Sequence, residues 1–555
     1  MKYSLLLLAG LTLPAAAQSP GKLKVKTKRG ASAPTAAPMQ VTLPAAAPML
    51  DLPSQYATHY ITQEHLRRDL SVLASDEYEG RETGTKGQQM AAAYITQQFK
   101  ADGLTAPVPA NAANPYLQSF ELERSTWQPG GTVSLGGKTY KWLEDFYAFG
   151  RSPFQQATAV QPVFMGYGIE QEGYSSYSGT DVKGKDLIIL LGEPHTADGK
   201  AILSADGKPT KWGVDFRAKA ALAAQKGARS VFFISQDDNF AKTEARLAPR
   251  IMQPTIAAAE TGNGRAASFF VSPALGLKLL GGSADAIKLY EVAAASGAKK
   301  MAFDVFRPAK FTISAPQERA AVRTENVLGF LPGTDLKDEI LVVSAHYDHL
   351  GIIGGQVYNG ADDDGSGTVG MLSIAQAFAQ AKQEGHGPRR SILFLANTGE
   401  EKGLLGSEYY SEHPVYPLAN TITDLNIDMI GRTDVAHEGK PDYVYVIGSD
   451  KLSSQLHAAL EQANKEHGGL ELDYRYNDPQ DPNRFYYRSD HYNFAKKGIP
   501  VAFFFNGVHA DYHEASDEVS KIEFDKLEAR ARLVFYLAWD LANRDQRPLV
   551  DSNKP

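Results

Sequence analysis

The sequence predicts an α/β protein with a central mixed, largely parallel sheet flanked by helices, and a separate α+β insertion. Three observations carry this. Apolar runs of strand length recur beyond Arg323, at 340–343 (ILVV), 392–395 (ILFL), 425–427 (LNI), 444–447 (VYVI) and 501–505 (VAFFF). Helical patterns lie between several of them, the alternation expected of a layered α/β domain. Between Tyr116 and Thr312 the texture changes to short strand-like runs and Gly-rich turns, which reads as a region of its own.

In chain order, residues 1–17 combine Lys2, an apolar run from Leu5 and Ala15-Ala16-Ala17, the pattern of a secretory signal peptide. The run is too short to span a bilayer, so the expectation is export to a periplasm or beyond the cell, with no stable membrane insertion after cleavage. Residues 18–55 are rich in Ala and Pro and read as a flexible linker. The first part of the main domain then covers 56–144. Its helical patterns start near Thr62 and Lys86, and Gly103 is a natural stop for the second. Arg81 and Glu82, in the loop before Lys86, suit either a ligand contact or a plain structural turn.

The insertion is placed at 145–300. It has strand-like runs at 159–165, 187–191 and 230–234 and a helix at 216–226, and it gathers no cluster of ligating residues; His195 stands alone there. The main domain resumes over 301–546 and a tail follows over 547–555. Its last helix is expected at 524–542.

Composition narrows the function classes. The 555 residues carry a net charge of −7 with no basic bias, which speaks against a nucleic-acid partner. Cysteine is absent, so disulfides are excluded and any metal must be held by His and carboxylates.

The chemistry gathers at the ends of the apolar runs, where open α/β sheets bind their ligands. His346 and Asp348 follow 340–343, and a Gly-rich loop with Asp362, Asp363 and Asp364 comes next. Glu400 and Glu401 follow 392–395, Asp428 ends 425–427, and His509 and His513 lie beyond 501–505. Four strand ends thus deliver His, Asp or Glu to one sheet edge, which is the reading of a metal site. Three carboxylates with two imidazoles leave three negative charges, which two divalent cations and a bridging hydroxide balance. Adjacent glutamates suit a division of labour, one binding metal and the other acting as general base.

In this order the segments HYD, NGADDDGSG, NTGEEKGLLGSEYY, LNID and DYHEASDEVSKI resemble metallopeptidase family 28, with its bacterial leucyl aminopeptidases and glutamate carboxypeptidases. The likeness runs from about Thr62 to the C-terminal helix, and the insertion resembles a protease-associated domain. The resemblance implies a zinc-peptidase fold with two Zn²⁺ per chain. Asp363 would bridge them, His346 and Asp428 would complete one site, and Glu401 and His513 the other. Glu400 would be the general base, and Asp348 would hydrogen-bond the ligand imidazole and fix its tautomer. Ser489, Asp490 and His491 resemble a segment near the substrate cleft, although a helix cap suits them equally.

The function implied is an exported di-zinc aminopeptidase, hydrolysing the N-terminal bond of peptide substrates through a metal-bridging hydroxide. Two alternatives stay open. One is a carboxypeptidase of the glutamate carboxypeptidase type, for which Arg432, Arg484 or Arg488 would supply the cationic pocket. The other is a non-catalytic peptide-binding homologue.

Overall fold

The computed structural model of the protein describes residues 51–552, apart from 110, 112, 236–239, 260–265 and 296–305. The expected signal peptide over 1–17, the expected linker as far as residue 50 and the end of the tail from 553 lie outside the described residues.

Structure begins earlier than the composition suggested. A helix spans Leu52–Tyr60, where Asp51 caps it by accepting from the Ser54 amide (3.0 Å) and Pro53 sits in the first turn. Proline there forfeits only an amide that has no helical partner. Tyr56 fixes this helix to the body: its ring stacks on Trp539 (centroids 5.8 Å apart) and its hydroxyl donates to Glu384 (2.7 Å). Helices Gln63–Leu73 and Lys86–Ala101 follow, capped by Thr62 and Thr85.

A nine-stranded mixed sheet dominates the molecule. Its four inner strands are Arg390–Asn397, Leu336–His346, Thr421–Ile427 and Val501–Phe505, side by side in that order and parallel. They are the expected apolar runs, lengthened by a few residues at the ends of the first three. Arg390–Asn397, Thr421–Ile427 and Val501–Phe505 are buried throughout, as strands covered on both faces must be. The covering helices include Gly367–Gln383, almost wholly buried, and Phe524–Asn543.

The flanks are where the sheet turns mixed. Gln317–Leu331 runs antiparallel beside Arg390–Asn397, Leu117–Trp127 runs antiparallel to Gln317–Leu331, and Thr255–Ala258 closes that edge. On the other side Tyr443–Ile447 lies antiparallel to Val501–Phe505, with Glu471–Asp473 beyond it.

A second apolar core is assembled from residues between Trp127 and Ala315. It draws on both sides of the expected bounds at 145 and 300, because the four-stranded sheet of Thr132–Leu135, Lys138–Lys141, Thr158–Val160 and Phe311–Ser314 belongs to it. Its five-stranded sheet includes Asp186–Leu190 and Ser230–Ile234, paired in parallel. The single strand expected over 159–165 is two, Thr158–Val160 and Val163–Phe164. Pro162, which has no amide for a ladder, lies between them.

Candidate metal centre

The C-terminal ends of the four inner parallel strands lie at one edge of the sheet, and a loop or turn leaves each of them there. His346 is the last residue of its strand. Glu400 and Glu401 stand three and four residues past Asn397, Asp428 directly follows Ile427, and His513 lies in the loop after Phe505.

Of the three consecutive aspartates, one faces this centre with both oxygens. Asp362 accepts from Ser366 Oγ (2.9 Å), the Gly431 amide (2.7 Å) and His509 Nε2 (3.0 Å). His509 is thereby a partner of Asp362, separate from His513. Asp364 is taken up by the amides of His346 (3.1 Å), Gly367 (2.9 Å) and Met429 (2.9 Å). The picture of three aspartates gathered round one cation therefore gives way to two structural carboxylates flanking Asp363.

Asp363 Oδ1 lies 3.2 Å from His346 Nε2, which is 3.6 Å from Asp428 Oδ1. Asp363 Oδ2 lies 3.0 Å from His513 Nε2, which is 3.2 Å from Glu401 Oε1. One carboxylate thus serves two separate groups of ligand type. Asp517 holds its backbone by accepting from the amides of Asp362 and Asp363 at 3.0–3.1 Å.

The remaining contacts orient these groups. His346 Nδ1 lies 3.0 Å from the Asp348 carbonyl, which can only accept, so Nδ1 carries the proton and Nε2 presents its lone pair to the centre. The Asp348 carboxylate was expected to hold that imidazole. Instead it lies 3.7 Å from Nδ1 and accepts from Thr83 Oγ1 (2.7 Å) and from the Glu400 amide (3.2 Å). The tautomer is fixed by the main chain of Asp348, and its side chain positions Glu400. The Glu400 carboxylate comes to 3.9 Å of His346 Nε2.

Ser489, Asp490 and His491 were expected near substrate, but all three are buried beneath the centre. Ser489 Oγ donates to Asp428 Oδ2 (2.6 Å) and Asp490 accepts from Ser407 (2.5 Å). The His491 ring stacks on Phe503 (4.7 Å). Burial removes them from contact with substrate, and Ser489 acts by holding Asp428. Arg81 is likewise structural: buried, it donates to the carbonyls of Tyr347 (2.8 Å), Leu73 (2.8 Å), Asn359 (2.6 Å) and Gly360 (2.9 Å). Glu82 pairs with Lys402 (3.0 Å). His195 is exposed and remote from the centre in sequence.

The electrostatics are those of a site short of positive charge. Burial alone would lower the pKa of His346, yet Asp428 and Glu400 outweigh it and raise it well above the ordinary imidazole value. His513 rises to about 10 against burial, through Asp363 and Glu401. Burial pushes Glu400 well above the usual carboxylate range, reinforced by Glu401, Asp428 and Asp490. Without cations the centre collects protons. His346 Nε2, Asp363 Oδ2 and Glu401 Oε1 are moreover buried without a hydrogen bond. An unsatisfied buried polar group costs about 1–3 kcal/mol, so convergent orphans of this kind fit a metal.

Sequence reading missed His349. It is fully buried and groups with Asp363 and Glu401, ligand atoms within 4.8 Å of one another. The signal was available: a third polar residue, directly after Asp348, in the stretch that leaves the strand carrying His346.

Beside the centre an open pocket is lined by Asp363, Glu400 and Asp428 on one side, and by Met429, Phe485, Phe503, Phe505, Val508 and Tyr512 on the other. Arg488 also lines it, with its guanidinium over the Phe485 ring (4.8 Å) and 3.3 Å from the Tyr512 hydroxyl.

An α/β sheet that collects imidazoles and carboxylates at the ends of its parallel strands is the framework of a metallohydrolase. Comparison with known proteins makes this particular: residues 326–538 match Peptidase family M28, and the chain carries an M28 peptidase domain. Aminopeptidase YwaD of Bacillus subtilis is 27% identical over 233 residues, which are 40% of this chain and 46% of that protein. A probable leucine aminopeptidase 2 of Aspergillus oryzae is 26% identical over 433 residues, 72% of this chain and 71% of that protein. The chain thus spans less than half the length of the first of these. Among solved structures, an aminopeptidase from Aneurinibacillus sp. strain AM-1 superposes with a TM-score of 0.52 at 19% identity. It covers 91% of this chain and all of that one, a likeness of fold.

Proposed function

We propose that the protein is an exported zinc aminopeptidase whose centre takes two zinc ions. One would be held by His346, Asp428 and Asp363 Oδ1, the other by Glu401, His513 and Asp363 Oδ2. The observation that carries this reading is Asp363, whose two oxygens face two different groups of ligand type at 3.2 and 3.0 Å. The names of the relatives support the aminopeptidase activity, and the Lys2-led apolar run of residues 1–17 supports export.

When bound, zinc would polarise the scissile carbonyl and make the attacking water acidic enough to ionise near neutrality. The rest falls to the protein. Glu400, anchored through its amide to Asp348, takes the proton from the water and passes it to the departing amine. A base works best with a pKa close to the operating pH, and the buried, carboxylate-rich surroundings of Glu400 raise it in that direction. Ser489 keeps Asp428 in its orientation, as the Asp348 carbonyl does for His346. The apolar half of the adjoining pocket suits the side chain of an apolar N-terminal residue.

Arg488 favours one other reading. It lines the pocket, and its guanidinium donates to the Tyr512 hydroxyl (3.3 Å). Arg432, by contrast, pairs with Asp511 at 3.0 Å. A carboxypeptidase would use Arg488 to hold the C-terminal carboxylate of its substrate.

Zinc content tests the two-metal centre. The native chain should bind two equivalents and Asp363→Ala close to none, whereas Glu401→Ala should chiefly empty one site. Two full equivalents in Asp363→Ala would refute the arrangement.

A further inference from the structure

Resting on the metal reading above, the two halves of the centre are unequal, and His349 is the cause. Its imidazole is fully buried, and neither ring nitrogen makes a hydrogen bond. Nδ1 points to the second half, 3.0 Å from Glu401 Oε1 and 3.9 Å from Asp363 Oδ2. His513 Nε2 meets the same two oxygens at 3.2 and 3.0 Å, and the two imidazole rings are 5.9 Å apart. Ligands of a tetrahedral zinc, about 2.0–2.1 Å from the metal, lie about 3.3 Å from one another. The four measured separations bracket that value.

The loop is shaped to hold this ring. Gly360 has a φ of +53°, and a Cβ there would sit 2.5 Å from His349 Cγ and Cδ2, so the backbone lies against the imidazole where no side chain fits. The amide of His349 donates to the Arg81 carbonyl (3.3 Å), and the Arg81 side chain clamps the carbonyls of Tyr347 and Gly360 on either side of it. A buried imidazole fixed at both ends of its loop, 3.0 Å from Glu401 Oε1 yet with no hydrogen bond at either ring nitrogen, is placed as a ligand would be.

We propose that His349 is an additional metal ligand, through Nδ1, of the site formed by Asp363 Oδ2, Glu401 and His513. That site then has two imidazoles and two carboxylates. Its neighbour has one imidazole, His346, with Asp428 and Asp363 Oδ1. More nitrogen donors favour zinc over oxygen-seeking cations such as Mn²⁺ and Mg²⁺. The His349 site is therefore the tighter and more zinc-selective of the two, and its neighbour is the one that exchanges.

The test uses the full chain loaded with a single equivalent of zinc, read by X-ray absorption. Two imidazoles on that zinc are expected, and one imidazole would overturn the proposal. Competition with a chromophoric chelator gives a second reading. His349→Ala should weaken the tighter site by more than the roughly 10–100-fold typical of losing a residue that only orients a ligand. His349→Asn separates ligation from orientation, because its amide can still donate to Glu401 from about the position of Nδ1. Loss in Asn equal to that in Ala supports ligation, whereas native affinity in Asn means that His349 only positions Glu401. If the buried variants fail to fold, the spectrum of the native chain still decides. Failure of the native chain to bind zinc at all would instead refute the two-zinc reading itself.

Discussion

At the scale of single residues the account divides labour between neighbours. Glu401 lies within 3.2 Å of His513 Nε2, while Glu400 approaches His346 only to 3.9 Å and is held through its amide. Glu400→Gln should keep both metals and lower kcat by about 10²–10⁴-fold, the usual contribution of a general base, or by more, since one residue serves two proton transfers. Glu401→Gln should disturb zinc content first. Steady-state kinetics with metal analysis of both variants checks this, and the reverse pattern would mean the two roles are exchanged. Residue types at strand ends were legible in the sequence; their directions were not. Asp362, Asp363 and Asp364 look equivalent in a row of letters, yet only the fold decides that Gly431, His509 and Met429 claim the outer two. His349 escaped for the same reason, since its surroundings are set by the backbone of Gly360 and by Arg81, which comes from far back in the chain.

Among the elements, the four inner parallel strands were legible because each is buried on both faces and so reads as an apolar run. Leu117–Trp127 and Gln317–Leu331 were not. Their exposed positions carry charges such as Glu121, Glu318 and Arg323, and they are defined by eleven pairings with one another across the chain. The inner strands also carry a pH dependence. Asp424, within Thr421–Ile427, is pushed up to about 8 by burial, although Ser344 donates to it (2.7 Å). Its unfolded pKa is near 3.9, so the folded chain holds a proton the unfolded chain releases. That contribution is complete below about pH 3.9 and is lost as pH rises through about 8. His513, at about 10 in the metal-free chain against about 6.5 unfolded, acts with the same sign, complete below about 6.5 and lost through about 10. Zinc requires the deprotonated imidazole and so binds more tightly as pH rises. The Tm difference between zinc-loaded and metal-free protein should therefore widen from about pH 6 to about pH 9. A difference that stays level or narrows would contradict these assignments.

For the whole molecule, the sheet, its buried helices and the loop clamped by Arg81 converge on one edge, and the pocket there sets three carboxylates against four aromatic rings. Among the described residues, no helix is long and apolar enough to cross a membrane. The central claim is that this edge cleaves peptides from a free N-terminus and depends on metal to do so. It is tested most directly by comparing one short peptide with its N-terminus free and the same peptide N-acetylated, each before and after chelation. The account predicts release of the first residue from the free peptide only, abolished by chelator and restored by added zinc. Equal cleavage of the acetylated peptide, release of the C-terminal residue instead, or activity that survives full metal removal would contradict it.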